Sequence, residues 1–371
     1  MKDYKEYLDN GIYDFQCGKY QDAIEKFNQS LELKKDWEIP YFYRGAANQA
    51  LENFDEAILD YTKALEYNDR MTDAYYNRAK ILLSRKDIEL IRLSEENRKD
   101  INARKEAINQ ADIVFLCLPD VASIESVSLC ENENTVIIDT STAHRTNSDW
   151  AYGFPELSKE FEEKIKTSKR IANPGCHASG FIALIYPLIE SGILKDDALL
   201  SCVSLTGYSG GGKKMIAEYE AEGRDELLDA PRQYGLSQSH KHLPEMTAVT
   251  GIKNAPAFMP IVGDFYSGME VTIPLFSSQI KGSVEDIKAV YKNKYNGPIV
   301  KYVEDFSENG FVSANKLSFN DGMEISVAGN DDRILLIARY DNLGKGASGA
   351  AVQCMNIMMG SDEGLGLKEY E

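Results

Sequence analysis

Apolar positions in residues 1–84 fall at helical spacing, in paired segments separated by short polar turns. The same positions return 34 residues later: Gly11 as Gly45, Tyr20 as Phe54, Ala23 as Ala57, Phe27 as Tyr61, and Leu31 as Leu65. Tyr41 and Arg44 return as Tyr75 and Arg78, and Ala79 stands where the earlier copies have glycine. That period is the length of a tetratricopeptide unit, two amphipathic helices with small residues where they cross closely. Residues 1–84 are therefore expected to form an α-helical tetratricopeptide array of about two and a half copies. The copy that starts near Thr72 supplies only its first helix, so the array should need a neighbour as its cap.

After Lys86 the period changes. DIELIRL (87–93) predicts a short strand, RKDINARKEAINQ (98–110) a polar helix, and ADIVFLCLPD (111–120) a buried parallel strand. A helix over 122–130 and a second buried strand at TVIIDTS (135–141) follow. Strands alternating with helices predict a parallel α/β sheet. Within CHASGFIALIYPLIESGIL, Phe181, Leu184, Ile185, Leu188 and Ile189 share one helical face. From about Leu199 strands predominate: MEVTIPLF (269–276), PIVKYV (298–303), FVSANKLSF (311–319) and RILLIARY (333–340) predict a largely antiparallel α+β domain. An apolar helix from Ala347 to Met358 closes the chain.

Composition narrows the function classes. The 371 residues carry 41 basic and 59 acidic side chains, a net charge of −18, which argues against nucleic acid or an anionic membrane as the main partner. No apolar run approaches the ~18 residues of a membrane span. The start, MKDYKEYLDN, has no apolar signal core. The six cysteines are irregularly spaced with no C-x-x-C pair, so neither a disulfide framework nor a structural zinc site is expected. The expected compartment is the cytoplasm.

Candidate chemistry lies in four segments. In ANPGCHASGF (172–181), Cys176 follows a turn and opens a helix, where the dipole and free N–H groups are expected to favour the thiolate. In SHKHLPEM (239–246), His240 and His242 would face one side of a strand and offer a general base or acid, with Glu245 as an orienting or substrate-contacting group. In LTGYSGGGKKM (205–215), the glycines let backbone approach a ligand closely, and Lys213 or Lys214 would meet phosphate. In DTSTAHR (139–145), at the end of a parallel strand, Ser141 and Arg145 suit an anionic group.

Together LCLPD, IIDTSTAHRT, WAYGFPEL, NPGC, GYSGGGK, HKHLPEM and NLGKGASGAAVQCMN resemble, in order, the short form of the N-acetyl-gamma-glutamyl-phosphate reductase family of arginine biosynthesis. The resemblance covers roughly residues 81–371. HKHLPEM and WAYGFPEL argue against the related aspartate-semialdehyde dehydrogenases. The resemblance implies an NADPH-binding Rossmann domain (85–153 with 343–371), a catalytic and dimerisation domain (154–342), a small-molecule substrate and a homo-oligomer. It implies Cys176 as nucleophile and His242 as acid/base, supported by His240. Ser141, Arg145, Asn173, Lys213 and Glu245 are then expected at the substrate. Ser94, Arg98, Lys99, Pro119, Gly210, Gly211 and Asn342 are expected at the cofactor, with no metal.

One departure stands beside the match. The family opens with a strand and a G-x-x-G-x-x-G turn that sets backbone amides against the cofactor pyrophosphate. Here no glycine occurs between Gly45 and Gly153. The tetratricopeptide helix expected at Ala74–Arg85 stands where the first Rossmann helix would stand, entered through Asp73, Tyr75 and Tyr76. Two readings follow: a reductase with an appended repeat domain, or a fused or truncated, catalytically impaired chain that acts as a tetratricopeptide interaction module. Weak NADPH binding is expected.

Overall fold

The computed structural model describes residues 3–68, 88–94 and 96–368. The chain divides into two compact units, Met1–Ile91 and Arg92–Glu371.

The first unit begins with α1 (Tyr4–Gln16), α2 (Tyr20–Leu33), α3 (Glu38–Ala50) and α4 (Phe54–Tyr67). Each boundary of the second pair lies 34 residues after its counterpart in the first. The small residues sit at the crossings: a Cβ on Gly11 would lie 2.6 Å from the Phe27 ring, and one on Gly45 would lie 3.1 Å from the Tyr61 ring. Arg44 of α3 holds the buried carboxylate of Asp60 on α4, which also accepts from Asn48. The third copy, from near Thr72, lies outside the described residues. Residues 88–93 form no strand, contrary to the expectation for DIELIRL, and Leu90 and Ile91 are exposed. A strand exists only where a neighbour takes its N–H and C=O groups, and among the described residues none pairs with this segment.

In the second unit, α5 (Ile101–Gln110) is capped by Asp100, whose carboxylate accepts from Ala103 N–H. Next come β1 (Ile113–Leu116), α6 (Asp120–Ser128), β2 (Val136–Asp139), β3 (Ala151–Tyr152), α7 (Lys159–Thr167) and β4 (Arg170–Ala172). These strands form a parallel sheet in the order β1-β2-β4-β3. β2 is buried at every position, as a parallel strand covered on both faces should be.

The chain then enters α8 (Cys176–Glu190), β5 (Ser201–Gly207), α9 (Gly212–Tyr219), β6 (Arg232–Gln233), α10 (Leu243–Thr250), β7 (Ala257–Gly263) and β8 (Met269–Phe276). After α11 (Val284–Lys294) come β9 (Val300–Tyr302), β10 (Met323–Gly329), β11 (Arg333–Tyr340) and α12 (Gly349–Met359). The seven-stranded sheet runs β6-β7-β5-β8-β11-β10-β9. It is mixed: β5/β7 and β9/β10 are parallel and the other neighbours antiparallel. FVSANKLSF gives turns instead of the expected strand, closed by Lys316 N–H to Ser313 and Ser318 N–H to Asn315. Its Phe319 N–H donates to buried Asp341, so the segment wraps the end of β11 and adds no strand to the sheet.

The core lies between α8 and this sheet. Phe181, Ile182, Leu184, Ile185 and Leu188 are fully buried in one cluster with Val271, Ile273, Ile325 and Leu336. Each such side chain contributes about 1.5–3 kcal/mol by burial, so α8, and Cys176 at its head, is firmly seated.

Candidate active site

Cys176 is the first residue of α8, entered from β4 through Asn173-Pro174-Gly175. Pro174 lacks an N–H, and Gly175 meets a crowded wall. A Cβ on Gly175 would lie 2.3 Å from Arg145 Nη1, 2.6 Å from His242 Nε2 and 2.8 Å from Glu245 Oε2. Thus Arg145, His242 and Glu245, separated by up to 100 residues in sequence, converge beside Cys176, and only glycine admits them.

Glu245 is the hub. It is buried, and its Oε1 accepts from Gly175 N–H at 2.7 Å and from the Tyr152 hydroxyl at 2.6 Å. Its Oε2 accepts from Arg145 Nη1 at 3.1 Å. Arg145 also donates from Nε to the Asn173 carbonyl at 2.9 Å and from Nη2 to the Thr140 carbonyl at 2.8 Å. Three of its five N–H groups are therefore spent on the fold and two remain. Asn173 donates from Nδ2 to the Ala347 carbonyl at 2.9 Å, while its buried Oδ1 has no partner among the described residues.

The histidines differ from the sequence expectation. His240 lies in a loop and His242 at the N-terminal boundary of α10, so they do not share a strand face. They still come together: the rings are 4.8 Å apart, and the His242 N–H donates to His240 Nδ1 at 3.3 Å. His177 completes the group, 5.6 Å from each ring, with its nitrogens on Ser204 and Tyr234 at 2.7 Å. Burial, reinforced by His240 and Lys241, pushes His177 down to about 3. Burial also holds His242 well below the usual imidazole range, helped by His177 and Arg145. Both rings are neutral near neutral pH.

Cys176 itself departs from expectation. Burial pushes its thiol up, and this outweighs the lowering by Arg145, the His177 backbone N–H and Lys241. The free protein therefore holds a thiol, and a base must take its proton before it attacks. The neutral imidazole of His242 is a group of the right kind.

The other sequence candidates fall into place as follows. Ser141 turns inward: its hydroxyl donates to Asp139 at 2.7 Å, and its N–H to the same carboxylate at 3.0 Å. Asp139 is fully buried and also binds His144 Nδ1 at 2.6 Å, with the His144 ring stacked 4.0 Å from Trp150. This network fixes the loop that delivers Arg145. Pro119 is exposed at the head of α6, beyond the end of β1. Gly210 and Gly211 are exposed in the turn after β5, and Lys213 is exposed at the start of α9. Asn342 ties that turn down: Nδ2 donates to Ser209 Oγ at 2.9 Å, and Oδ1 accepts from Gly268 N–H at 2.9 Å. Ser94, Arg98 and Lys99 stand in an exposed turn in which Arg98 N–H reaches the Ser94 carbonyl at 2.9 Å.

Sequence reasoning missed Asp139, Tyr152, His177 and Tyr340. Asp139 carried a signal, a carboxylate ending a wholly apolar strand. Tyr152 and Tyr340 carried none, because each acts through a partner distant in sequence.

The semialdehyde dehydrogenase dimerisation domain matches residues 176–342, and the semialdehyde dehydrogenase NAD binding domain matches 74–167. N-acetyl-gamma-glutamyl-phosphate reductases of Brucella ovis and Brucella canis are each 44% identical over 288 residues, covering 75% of this chain and 93% of the relative. The chain belongs to the N-acetyl-gamma-glutamyl-phosphate reductase family. Solved aspartate semialdehyde dehydrogenases share the fold. Type II from Vibrio cholerae gives a TM-score of 0.53 at 16% identity, covering 68% of this chain and 80% of that one. A probable one from Pseudomonas aeruginosa gives 0.54 at 14%, covering 72% and 84%. In this reductase-family chain the nucleotide-domain match begins at residue 74, and the helix expected at Ala74–Arg85 lies outside the described residues.

Proposed function

We propose that this chain reduces N-acetyl-glutamyl phosphate to the semialdehyde, as a cytoplasmic, homo-oligomeric enzyme of arginine biosynthesis. The observation that carries the proposal is Cys176 at the head of α8, walled by Arg145, His242 and Glu245 across Gly175. His242 takes the thiol proton. The thiolate forms a bond to the acyl carbon, and the carbon–oxygen bond to phosphate breaks, which leaves a thioester on Cys176. The two uncommitted N–H groups of Arg145 and the cation of Lys213 suit the phosphate and carboxylate. Bound NADPH supplies the hydride. His242 then returns its proton as the carbon–sulfur bond breaks, which frees the aldehyde and the thiol.

The residues present fit the nicotinamide end of that cofactor. Gly210 is exposed in the turn after β5 and carries no side chain, which suits the close approach of a flat ring. We assign Gly210, Gly211, Asn342 and Pro119 to hold it, with Ser94, Arg98 and Lys99 for the adenosine end.

We assign residues 1–84 to tetratricopeptide repeats that bind a protein partner, fused ahead of a nucleotide-binding part (85–153 with 343–371) and a catalytic part (154–342). The 34-residue register of α1–α4 supports the repeat assignment. A stable, cooperative, monomeric fold of residues 1–84 expressed alone would show that the array needs no cap.

The acylation step tests the main proposal, because it requires no nucleotide. The acyl phosphate should release one phosphate per chain in a burst and protect Cys176 from alkylation. Cys176→Ser should abolish the burst. Absence of both burst and protection overturns the reading.

A further inference from the structure

Tyr340 ends β11 in the middle of the seven-stranded sheet, 164 residues beyond the nucleophile. Its ring is buried, yet its hydroxyl lies in the first turn of α8. It donates to the carbonyl of Cys176 at 2.5 Å and accepts from the N–H of Gly180 at 3.0 Å. These two groups stand in the i, i+4 relation that a helix normally closes by itself. The missing side chain at Gly180 makes the arrangement possible, because a Cβ there would lie 2.7 Å from the Tyr340 oxygen and 2.7 Å from Val271 Cγ2.

The chain beyond Tyr340 continues the same grip. A Cβ on Gly346 would lie 3.1 Å from Cys176 Cβ, and the Ala347 carbonyl accepts from Asn173 Nδ2. The exit of β11 thus touches the nucleophile at its carbonyl, its Cβ and the residue that opens its turn. We propose that Tyr340 is a positioning residue for the Cys176 nucleophile: its hydroxyl bridges Cys176 O and Gly180 N and so sets the direction in which the thiol leaves the helix. The proposal rests on Cys176 as the nucleophile but not on any particular substrate. A purely structural tyrosine would fill the core and leave thiol reactivity untouched. This one holds the reacting residue by its own backbone.

The test is Tyr340→Phe in the full chain. Removal of the hydroxyl frees one acceptor and one donor that can close on each other, so the variant should fold. The rate of Cys176 alkylation by iodoacetamide, mapped by mass spectrometry, is followed against pH with Cys117 as internal reference. The expected result is a fall of about tenfold at Cys176 with Cys117 unchanged. It should be accompanied by a lower kcat at unchanged KM, because an interaction felt mainly in the transition state has been weakened. Gly180→Ala, which leaves Tyr340 in place and pushes its hydroxyl off the turn, should give the same loss and stands in if the first variant fails to fold. An alkylation profile superimposable on that of the parent chain in a folded variant overturns the proposal. If the acyl phosphate gives Cys176 of the parent chain no protection from alkylation, the nucleophile assignment itself has failed instead.

Discussion

Two helices that each leave a parallel strand near the ligand side of a sheet, α6 and α8, differ sharply in what surrounds them. In α8, Phe181, Ile182, Leu184, Ile185 and Leu188 are all fully buried. In α6 the buried residues are Ser123 and Ser126, while Val121 is 83% and Ile124 is 54% exposed. The sheets behind them differ in the same sense. β8 and β11, central in the larger sheet, are paired on both sides, whereas β1 ends the smaller sheet and pairs only with β2 among the described residues. The catalytic half closes its own core. The part around the smaller sheet leaves Val121 and Ile124 of α6 exposed. The elements around Cys176 are therefore firmly packed, and any weakness of the chain as an enzyme is expected at the cofactor.

The largest expected effect breaks or confirms that contrast. No glycine stands between Gly45 and Gly153; if the pyrophosphate thereby forgoes two to four charge-assisted hydrogen bonds at about 1.5–3 kcal/mol each, NADPH should bind several orders of magnitude more weakly than with a glycine turn introduced. Calorimetric titration of both chains checks this, and a micromolar dissociation constant for the unaltered chain would erase the difference between the halves. Within the catalytic half, His242→Asn should lower turnover by about 10²–10⁴-fold, the range for a positioned acid or base. Steady-state rates at saturating nucleotide measure it, and an equal loss confined to His240→Asn would exchange the two roles. Gly175→Ala drives a methyl group into Arg145 and His242, and should cost about 1–3 kcal/mol of stability. Urea unfolding reads that cost; an unchanged midpoint would show that the wall around Cys176 yields.

A further effect is one of pH. His177 sits at about 3 in the folded chain and returns to about 6.5 when unfolded. Between those values the unfolded chain holds one more proton. Its contribution is therefore complete above about pH 6.5 and declines as pH falls towards 3, by up to about 1.4 kcal/mol per pH unit. Unfolding midpoints of the parent chain and His177→Gln across that window should converge as pH falls. Parallel curves would place the acid sensitivity elsewhere.

The repeat period, the alternation of strand and helix after residue 100, the long apolar face of α8 and the NPGC turn follow from local sequence, because each is a matter of spacing or of one residue's backbone. That is why α1–α4 keep the 34-residue register and α8 begins at the expected cysteine. Local pattern misled at DIELIRL, where the apolar run was right but no partner strand received it, and at FVSANKLSF, where buried Asp341 draws the backbone into a turn. The state of Cys176 also needed the fold. Helix position alone argued for a thiolate, and the depth of burial reversed it. Only tertiary structure brought Tyr152 and Gly175 N–H onto Glu245, or the Tyr340 hydroxyl onto the carbonyl of Cys176. These contacts join residues 70 to 164 apart, and no periodicity in a chain encodes which distant hydroxyl will meet which carbonyl once the sheet has formed.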